Sequence, residues 1–425
     1  MSKKCLEYKA MTSEFHMSSS EEPWRNVVFY KGNVYNPTLF FGTYATWSHT
    51  YTAAETHLNT LREQIHEYEE GTGGQWEYYK KIVNPYELIY TQKKYPAFPD
   101  SVCLLHPLSR SYFKMIEMLT VSDFFKAMER EPRIRTAHVC EGPGGFIEAI
   151  LEEATKRSKS VTQMTAMTLR PNQPNVPGWK RAVTFLRKSR QVQVTYGADN
   201  TGDITKIPNQ DAFITSVGQK VHIFTSDGGF DFSTDYLSQE RFVFPLLLSS
   251  MRLAFEVLAD GGFFVMKFFD IYHRGTADLI FYLSCFFQSW TLYKPATSRP
   301  CNPEQYFIGR GFKGASEEVK AQLKNWCANQ MLGFVQSSLY GGEYPTEFTE
   351  HIGNCQNEII VEQTHYLNRV FDVIRSANDT NISDLLQKHE YMSYQWCKMF
   401  GVPIYPARAR SIEVSHSGQR VAGPQ

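Results

Sequence analysis

The chain has 425 residues, 42% hydrophobic and 21% charged, with equal numbers of basic and acidic side chains and zero formal net charge. This composition excludes an intrinsically disordered chain. It also excludes a polycation that would hold nucleic acid with its whole surface, so any such face must be a local patch.

No run of about 18 apolar residues is present, and residues 1–5 are not followed by an apolar signal core. Neither a membrane span nor a secretory leader is expected. The eight cysteines are scattered without a CxxC pair. That pattern fits reduced thiols in the cytoplasm or nucleus and no zinc site. There is no internal repeat.

Residues 1–100 are polar, rich in Tyr, Thr and Glu, and read as an N-terminal extension with one helix over 53–70. From 101 to 315 short apolar runs alternate with helical periodicity. Strands are expected over 134–140, 161–168, 192–196, 221–226 and 263–268, and helices over 145–157, 236–258 and 277–287. Two last strands, 291–294 and 305–309, are spaced for an antiparallel hairpin at the sheet edge. Such alternation predicts an α/β fold with a mostly parallel, doubly wound sheet. Residues 316–405 read as a helical C-terminal appendage, with helices over 316–331 and 358–377. Residues 406–425 carry Arg408, Arg410 and Arg420 among Gly, Ser and Pro, and read as a disordered basic tail.

Between the first strand and its helix lies Cys140-Glu141-Gly142-Pro143-Gly144-Gly145-Phe146. Glycines let a backbone turn sharply and approach a ligand closely, and ligands of such sheets bind beyond the carboxyl ends of the strands. A tight turn without a ligand has the same signature. A phosphate cradle is disfavoured, because the spacing is neither GxGxxG nor GxxxxGK[ST] and Pro143 removes a backbone donor. After the third strand, Asp203 is placed to accept from an adenine amino group, or equally to cap its own Asn/Gly-rich turn.

Four charged residues belong near one sheet edge if the strands are right. Asp227 ends the fourth strand, Lys267 ends the fifth, Glu304 begins the last, and Lys114 lies in a helical stretch before the first. Lys267 sits inside an apolar run, where an ammonium is costly unless paired or snorkelling to water. Singly, Asp227 reads also as a turn former, and Lys114 and Glu304 as solvated charges. Together they suit deprotonation of a weakly nucleophilic hydroxyl. A lysine of lowered pKa can be the base, a second ammonium at Lys114 pushing it down and the carboxylates opposing that shift.

These pieces resemble the FtsJ-like ribose 2′-O-methyltransferases, whose hallmark is a Lys-Asp-Lys-Glu tetrad. The segment Ser109-Arg110-Ser111-Tyr112-Phe113-Lys114 resembles the motif of the first lysine. Asp227, Lys267 and Glu304 fall in the other three. Within that family the loop at 139–146 and the run from Lys294 to Tyr306 most resemble eukaryotic and large-DNA-virus cap methyltransferases. The resemblance implies a Rossmann-like fold with a seven-stranded, mostly parallel sheet. It implies S-adenosylmethionine held by Glu141, Gly142, Pro143, Gly144, Gly145, Phe146, Asp203 and Asp227, with Lys114, Asp227, Lys267 and Glu304 catalytic and Lys267 the general base. The implied substrate is RNA, the capped 5′ end of mRNA, methylated on a ribose 2′-oxygen. The implied setting is the nucleus or cytoplasm, including a viral factory if the chain is viral. The resemblance covers residues 101–315. His138 departs from it, standing where the first strand of the family often carries an acid; Glu141 is the candidate substitute.

Residues 156–190 hold nine basic side chains and no acidic one: Lys156, Arg157, Lys159, Arg170, Lys180, Arg181, Arg187, Lys188 and Arg190. They read as a patch for an RNA backbone or as a solvated face balanced elsewhere. Trp179 and several tyrosines are candidates to stack a base or cap. The competing functions are a 2′-O-methyltransferase of ribosomal or transfer RNA, and a catalytically silent RNA-binding scaffold of the same fold.

Overall fold

The structure is a computed structural model and describes residues 27–44, 49–70, 75–91, 98–171, 178–229, 238–331, 336–376 and 379–419. In chain order, the first elements are β1 (Tyr30–Lys31), β2 (Phe40–Tyr44), α1 (Ala53–Glu70), α2 (Gln75–Ile82), α3 (Ser111–Val121) and α4 (Phe124–Ala127). The central α/β part is β3 (Arg133–Val139), α5 (Gly145–Lys156), β4 (Ser160–Met167), α6 (Val183–Lys188), β5 (Val192–Thr195), α7 (Ile207–Val217), β6 (Val221–Ser226), α8 (Gln239–Val257), β7 (Leu258–Phe268), α9 (Arg274–Cys285), β8 (Phe287–Tyr293) and β9 (Gln305–Phe312). There follow α10 (Glu317–Met331), β10 (Gln336–Tyr340), α11 (Thr346–Ser376), α12 (Asp379–Met399) and α13 (Pro406–Gln419).

The main sheet has eight strands in the order β1-β8-β9-β7-β6-β3-β4-β5. The expected seven become eight because β1 pairs antiparallel with β8, Tyr30 opposite Trp290. Strands β5, β4, β3, β6 and β7 are mutually parallel. The expected hairpin of β8 and β9 exists, but β9 inserts between β8 and β7 and runs antiparallel to both. Alternation of side chains sends Phe264, Met266 and Phe268 into one core and Phe263 and Val265 into the other. The first core lies under α8, α9 and α10, the second under α3 and α5. A sheet buried on both faces reads as near-continuous apolar runs, which is why its strands are legible.

Two expectations for the terminal segments change. The described residues before 100 are built into the body: β1 extends the main sheet, β2 pairs with β10, and α1 and α2 pack on α11 in a third core of Leu58, Ile65, Trp76, Leu367 and Phe371. The segment expected to be a disordered tail forms α13, docked through buried Ile412; Arg420 lies outside the described residues. Among the described residues no helix is long and apolar enough to cross a membrane.

The link from β8 to β9 is fixed by one carboxylate. Glu117 of α3 is fully buried and accepts from the Tyr293 hydroxyl at 2.8 Å, the Ala296 and Thr297 amides at 2.8 and 2.9 Å, and Trp396 Nε1 at 3.0 Å. Burial raises its pKa against these donors. All four partners are donors, so a side-chain amide presents its NH2 to donors. We expect Glu117→Gln to lower unfolding stability by on the order of 2 kcal/mol. Denaturant titration checks this, and an unchanged midpoint contradicts it.

Candidate active site

The parallel strands β3, β4, β5, β6 and β7 end on one edge, and β9, running the other way, begins there. The topology therefore brings residues from 140, 203, 227, 267 and 304 together. Asp227 follows β6, with its amide 3.3 Å from the Val139 carbonyl. Lys267 is in β7 directly opposite Tyr306 of β9.

Lys267 Nζ donates to the Asp227 carbonyl at 2.9 Å and lies 3.2 Å from Asp227 Oδ1. Lys114, on the first turns of α3, is ion-paired with Glu304, which also accepts from Ser298 Oγ at 3.2 Å. The Tyr306 hydroxyl bridges the two halves, 2.9 Å from Asp227 Oδ1 and 3.1 Å from Glu304 Oε1. All four predicted charged residues thus meet in one network, each side chain at most 15% exposed.

The electrostatics differ from the sequence-based expectation in one respect. Burial pulls the Lys267 pKa down, but Asp227 and then Glu304 outweigh it, and the net shift is upward. In this state Lys267 is an ammonium. Burial pushes Glu304 up, yet Lys114 and Lys267 hold it down at about 2. The expected lowering of Lys267 by Lys114 does not prevail, because the two nearby carboxylates favour the ammonium more strongly.

On the cofactor side, Gly144 has φ 107°, a conformation that favours glycine, and a Cβ there would sit 3.2 Å from the Trp179 ring. A Cβ on Gly145 would strike Ser109 and Ser111 Oγ at 2.3 Å. Both glycines are buried, and the room a side chain would need is filled by Trp179, Ser109 and Ser111, so glycine is what lets the loop pack there. Phe146 turns its ring into the core, 5.9 Å from that of Tyr306, leaving only its backbone to the loop. Asp203 uses Oδ1 to accept from the Thr205 amide at 3.0 Å and hydroxyl at 2.7 Å. It thus caps its own turn, which follows β5 on the same sheet edge.

His138 and Glu141 form a buried pair, 3.4 Å apart. His138 is hydrogen-bonded to Thr136 at 2.6 Å and Thr225 at 2.7 Å, and Thr225 donates to Glu141. Burial lowers His138 to about 3, so it is neutral. Burial, and then Asp227, drive Glu141 well above the usual carboxylate range. Glu141 Oε2 is buried without a hydrogen-bond partner.

The basic stretch is split by the topology. Lys156, Arg157 and Lys159 lie at the opposite edge, where the first two pair with Glu153 and the third with the Glu129 and Glu131 carbonyls. Arg170, just past β4, is on the site edge and stacks on Tyr196 at 4.1 Å. Trp179 is buried against the glycine loop and offers no open face for stacking.

Three residues given no role by the sequence reading matter here: Tyr306, Glu117 and Lys294. Lys294 Nζ donates to the Asn302 carbonyl at 2.6 Å and the Glu304 carbonyl at 3.3 Å, closing the loop that presents Glu304. Tyr306 was recoverable, since it is two residues from Glu304 and the strand period puts both on one face. Glu117 acts through contacts remote in sequence and left no local signal, whereas Lys294 lies eight and ten residues before its partners, at the head of the run that carries the resemblance.

Residues 107–312 match the family model for FtsJ-like methyltransferase. That segment, a little under half of the chain, is similar to FtsJ-like methyltransferases. A cap-specific mRNA (nucleoside-2′-O-)-methyltransferase 1 from Xenopus laevis is 31% identical over 252 residues, 54% of this chain and 28% of the relative. The protein of the same description from Mus musculus is 35% identical over 196 residues, 44% of this chain and 22% of the relative. The chain thus spans about a quarter of the length of these curated relatives. Among solved structures, a ribosomal RNA methyltransferase from Plasmodium falciparum superposes with a TM-score of 0.34 at 19% identity, over 49% of this chain and 99% of that one.

His138 gives a prediction with a definite sign. Its folded pKa of about 3 lies below the ordinary 6.5, so its stability contribution is complete above about pH 6.5 and is lost as the pH falls toward 3. The stability difference between wild type and His138→Asn should shrink by roughly 2 kcal/mol between pH 6.5 and 5. Denaturant titrations of both chains at the two pH values measure it. A constant difference would mean that His138 is not held neutral.

Proposed function

We propose that this chain transfers a methyl group from S-adenosylmethionine to a ribose 2′-hydroxyl of RNA at the cap-proximal end of mRNA. The observation carrying this reading is the convergence of Lys114, Asp227, Lys267 and Glu304 on one sheet edge, where the glycine loop after β3 also lies. The cap assignment is supported by the names of the curated relatives.

The residues present fit the cofactor. Gly142 and Pro143 are half-buried in the loop after β3, Gly144 and Gly145 let that loop pack on Trp179, Ser109 and Ser111, Glu141 beside them holds a buried oxygen without a hydrogen-bond partner, and Asp227 and Asp203 follow β6 and β5 on the same edge. When bound, S-adenosylmethionine supplies a methyl group already activated on a sulfonium centre. What remains for the protein is to align the ribose oxygen with that methyl and to take its proton.

Lys267 Nζ is the proton acceptor in its free-amine form. Asp227 orients it through two contacts, and Tyr306 keeps the two carboxylates in a fixed relation. Lys114 holds Glu304 ionised and in place. Arg170, beside the site, is available to an RNA backbone phosphate.

A labelled methyl-transfer assay on capped and uncapped RNA tests the reading, followed by mapping of the modified nucleotide. Lys267→Ala should lose at least about 100-fold in rate with cofactor binding retained. Since Asp227 and Glu304 hold Lys267 protonated, the rate should rise with pH from about 7 to about 9 as the free amine becomes available. In Glu304→Gln that rise should move to lower pH, because a charge favouring the ammonium is gone. Full activity in Lys267→Ala contradicts the assigned base, and equal transfer to uncapped RNA contradicts the cap assignment.

A further inference from the structure

Two buried side chains from outside the family-matched segment tie together the loops that carry Lys267 and Glu304. Arg62 of α1 is 3% exposed and grips Asp270 with both terminal nitrogens, Nη1 to Oδ2 and Nη2 to Oδ1, each at 2.9 Å. The same Nη2 donates to Gln363 Oε1 of α11 at 2.6 Å. Gln363, 2% exposed, donates in turn from Nε2 to the Cys301 carbonyl at 2.8 Å. Asp270 lies three residues after Lys267, and Cys301 three residues before Glu304. The relay Asp270–Arg62–Gln363–Cys301 therefore spans the two sides of the network. A second cross-link runs alongside it, from Gln305 Nε2 to the Phe269 carbonyl at 3.0 Å.

We infer that Arg62 and Gln363 are positioning residues that set the separation of Lys267 and Glu304, so that the N-terminal and C-terminal helices are part of the catalytic apparatus. This rests on the 2′-O-methyl transfer proposed above. Neither residue reaches the reacting atoms. Each acts by fixing backbone: Arg62 the stretch leaving β7, Gln363 the stretch entering β9. A planar guanidinium suits this role because its fork meets a carboxylate and an amide oxygen at once. A lysine at position 62 has no such fork.

The test uses full-length protein with Gln363→Leu, which removes the relay without removing a charge, and the double variant Arg62→Met/Asp270→Asn. The double variant avoids leaving an unpaired buried charge, a known cause of misfolding when one partner alone is cut. Two measurements are made: steady-state methyl transfer to capped RNA, and titration of the Lys267 ammonium by NMR, assigned with Lys267→Arg. We expect kcat to fall at least about tenfold in both variants, with KM for cofactor and RNA within about twofold, as for loss of an interaction acting in the transition state. We expect the Lys267 titration to move down in pH, the direction given by Glu304→Gln. Arg62→Lys should not restore kcat.

Wild-type kcat in both variants, or a Lys267 titration unmoved from wild type, overturns the inference. If wild-type protein methylates no RNA, the proposed function fails. The NMR titration still decides the positioning claim, since it needs no turnover.

Discussion

The architecture turns on keeping one ammonium, that of Lys267, inside an apolar sheet. An unpaired charge there would cost several kcal/mol, so two carboxylates must lie within reach. Asp227 is supplied by the neighbouring parallel strand β6, whose end lies on the same edge. Glu304 comes from β9, and only because β9 is reversed. A parallel strand in that place would put its last residues at this edge and its first at the far one. The single antiparallel insertion is thus what brings the fourth charge to the site, and Glu117 and Lys294 hold the connection that makes the reversal possible.

That arrangement explains which parts were legible in the sequence. Strand β6 has the limits that the sequence predicts, because it is a short apolar run between turn residues. For β7 the sequence predicts a start at Phe263, since Asp260-Gly261-Gly262 reads as a turn. In the structure the strand starts at Leu258 and absorbs those residues as an irregularity in its pairing with β6, Gly261 taking φ 76°. Two-residue β1 has no periodicity to detect. For α11 the sequence predicts a start at Glu358 rather than Thr346, because the first turns are largely polar and Phe348 packs on residues remote in sequence, Phe281 and Trp290. The charged tetrad was readable because each member sits at a strand end or on a helix next to one. The sign of the Lys267 shift was not, because it depends on how close the fold brings Asp227 and Glu304 to a buried ammonium.

The cofactor side shows a local exchange rather than a loss. The family resemblance leads one to look for an acid in the first strand, where this chain has His138. The carboxyl stands three residues later, at Glu141, and the two are in contact. A histidine between Thr136 and Thr225 satisfies both ring nitrogens while neutral. It leaves Glu141 as the only polar group of the set with an unused oxygen. The consequence is that the underside of the glycine loop carries an uncharged hydrogen-bonding chain in place of a buried carboxylate.

The limits of the matched segment, 107–312, are not the limits of the structural unit. Strand β8, inside the segment, pairs with β1, outside it, and Trp290 of β8 is covered by Phe348 and His351 of α11. The link that carries Glu304 is held by Trp396 of α12 through Glu117, and by Arg299 through Glu87, which precedes the segment. Cutting the chain to the matched residues would bare the face of β8 and release both anchors. Residues that the family model does not cover therefore bear directly on the geometry of residues it does, and a helical appendage in the sequence is, in three dimensions, the back wall of the site.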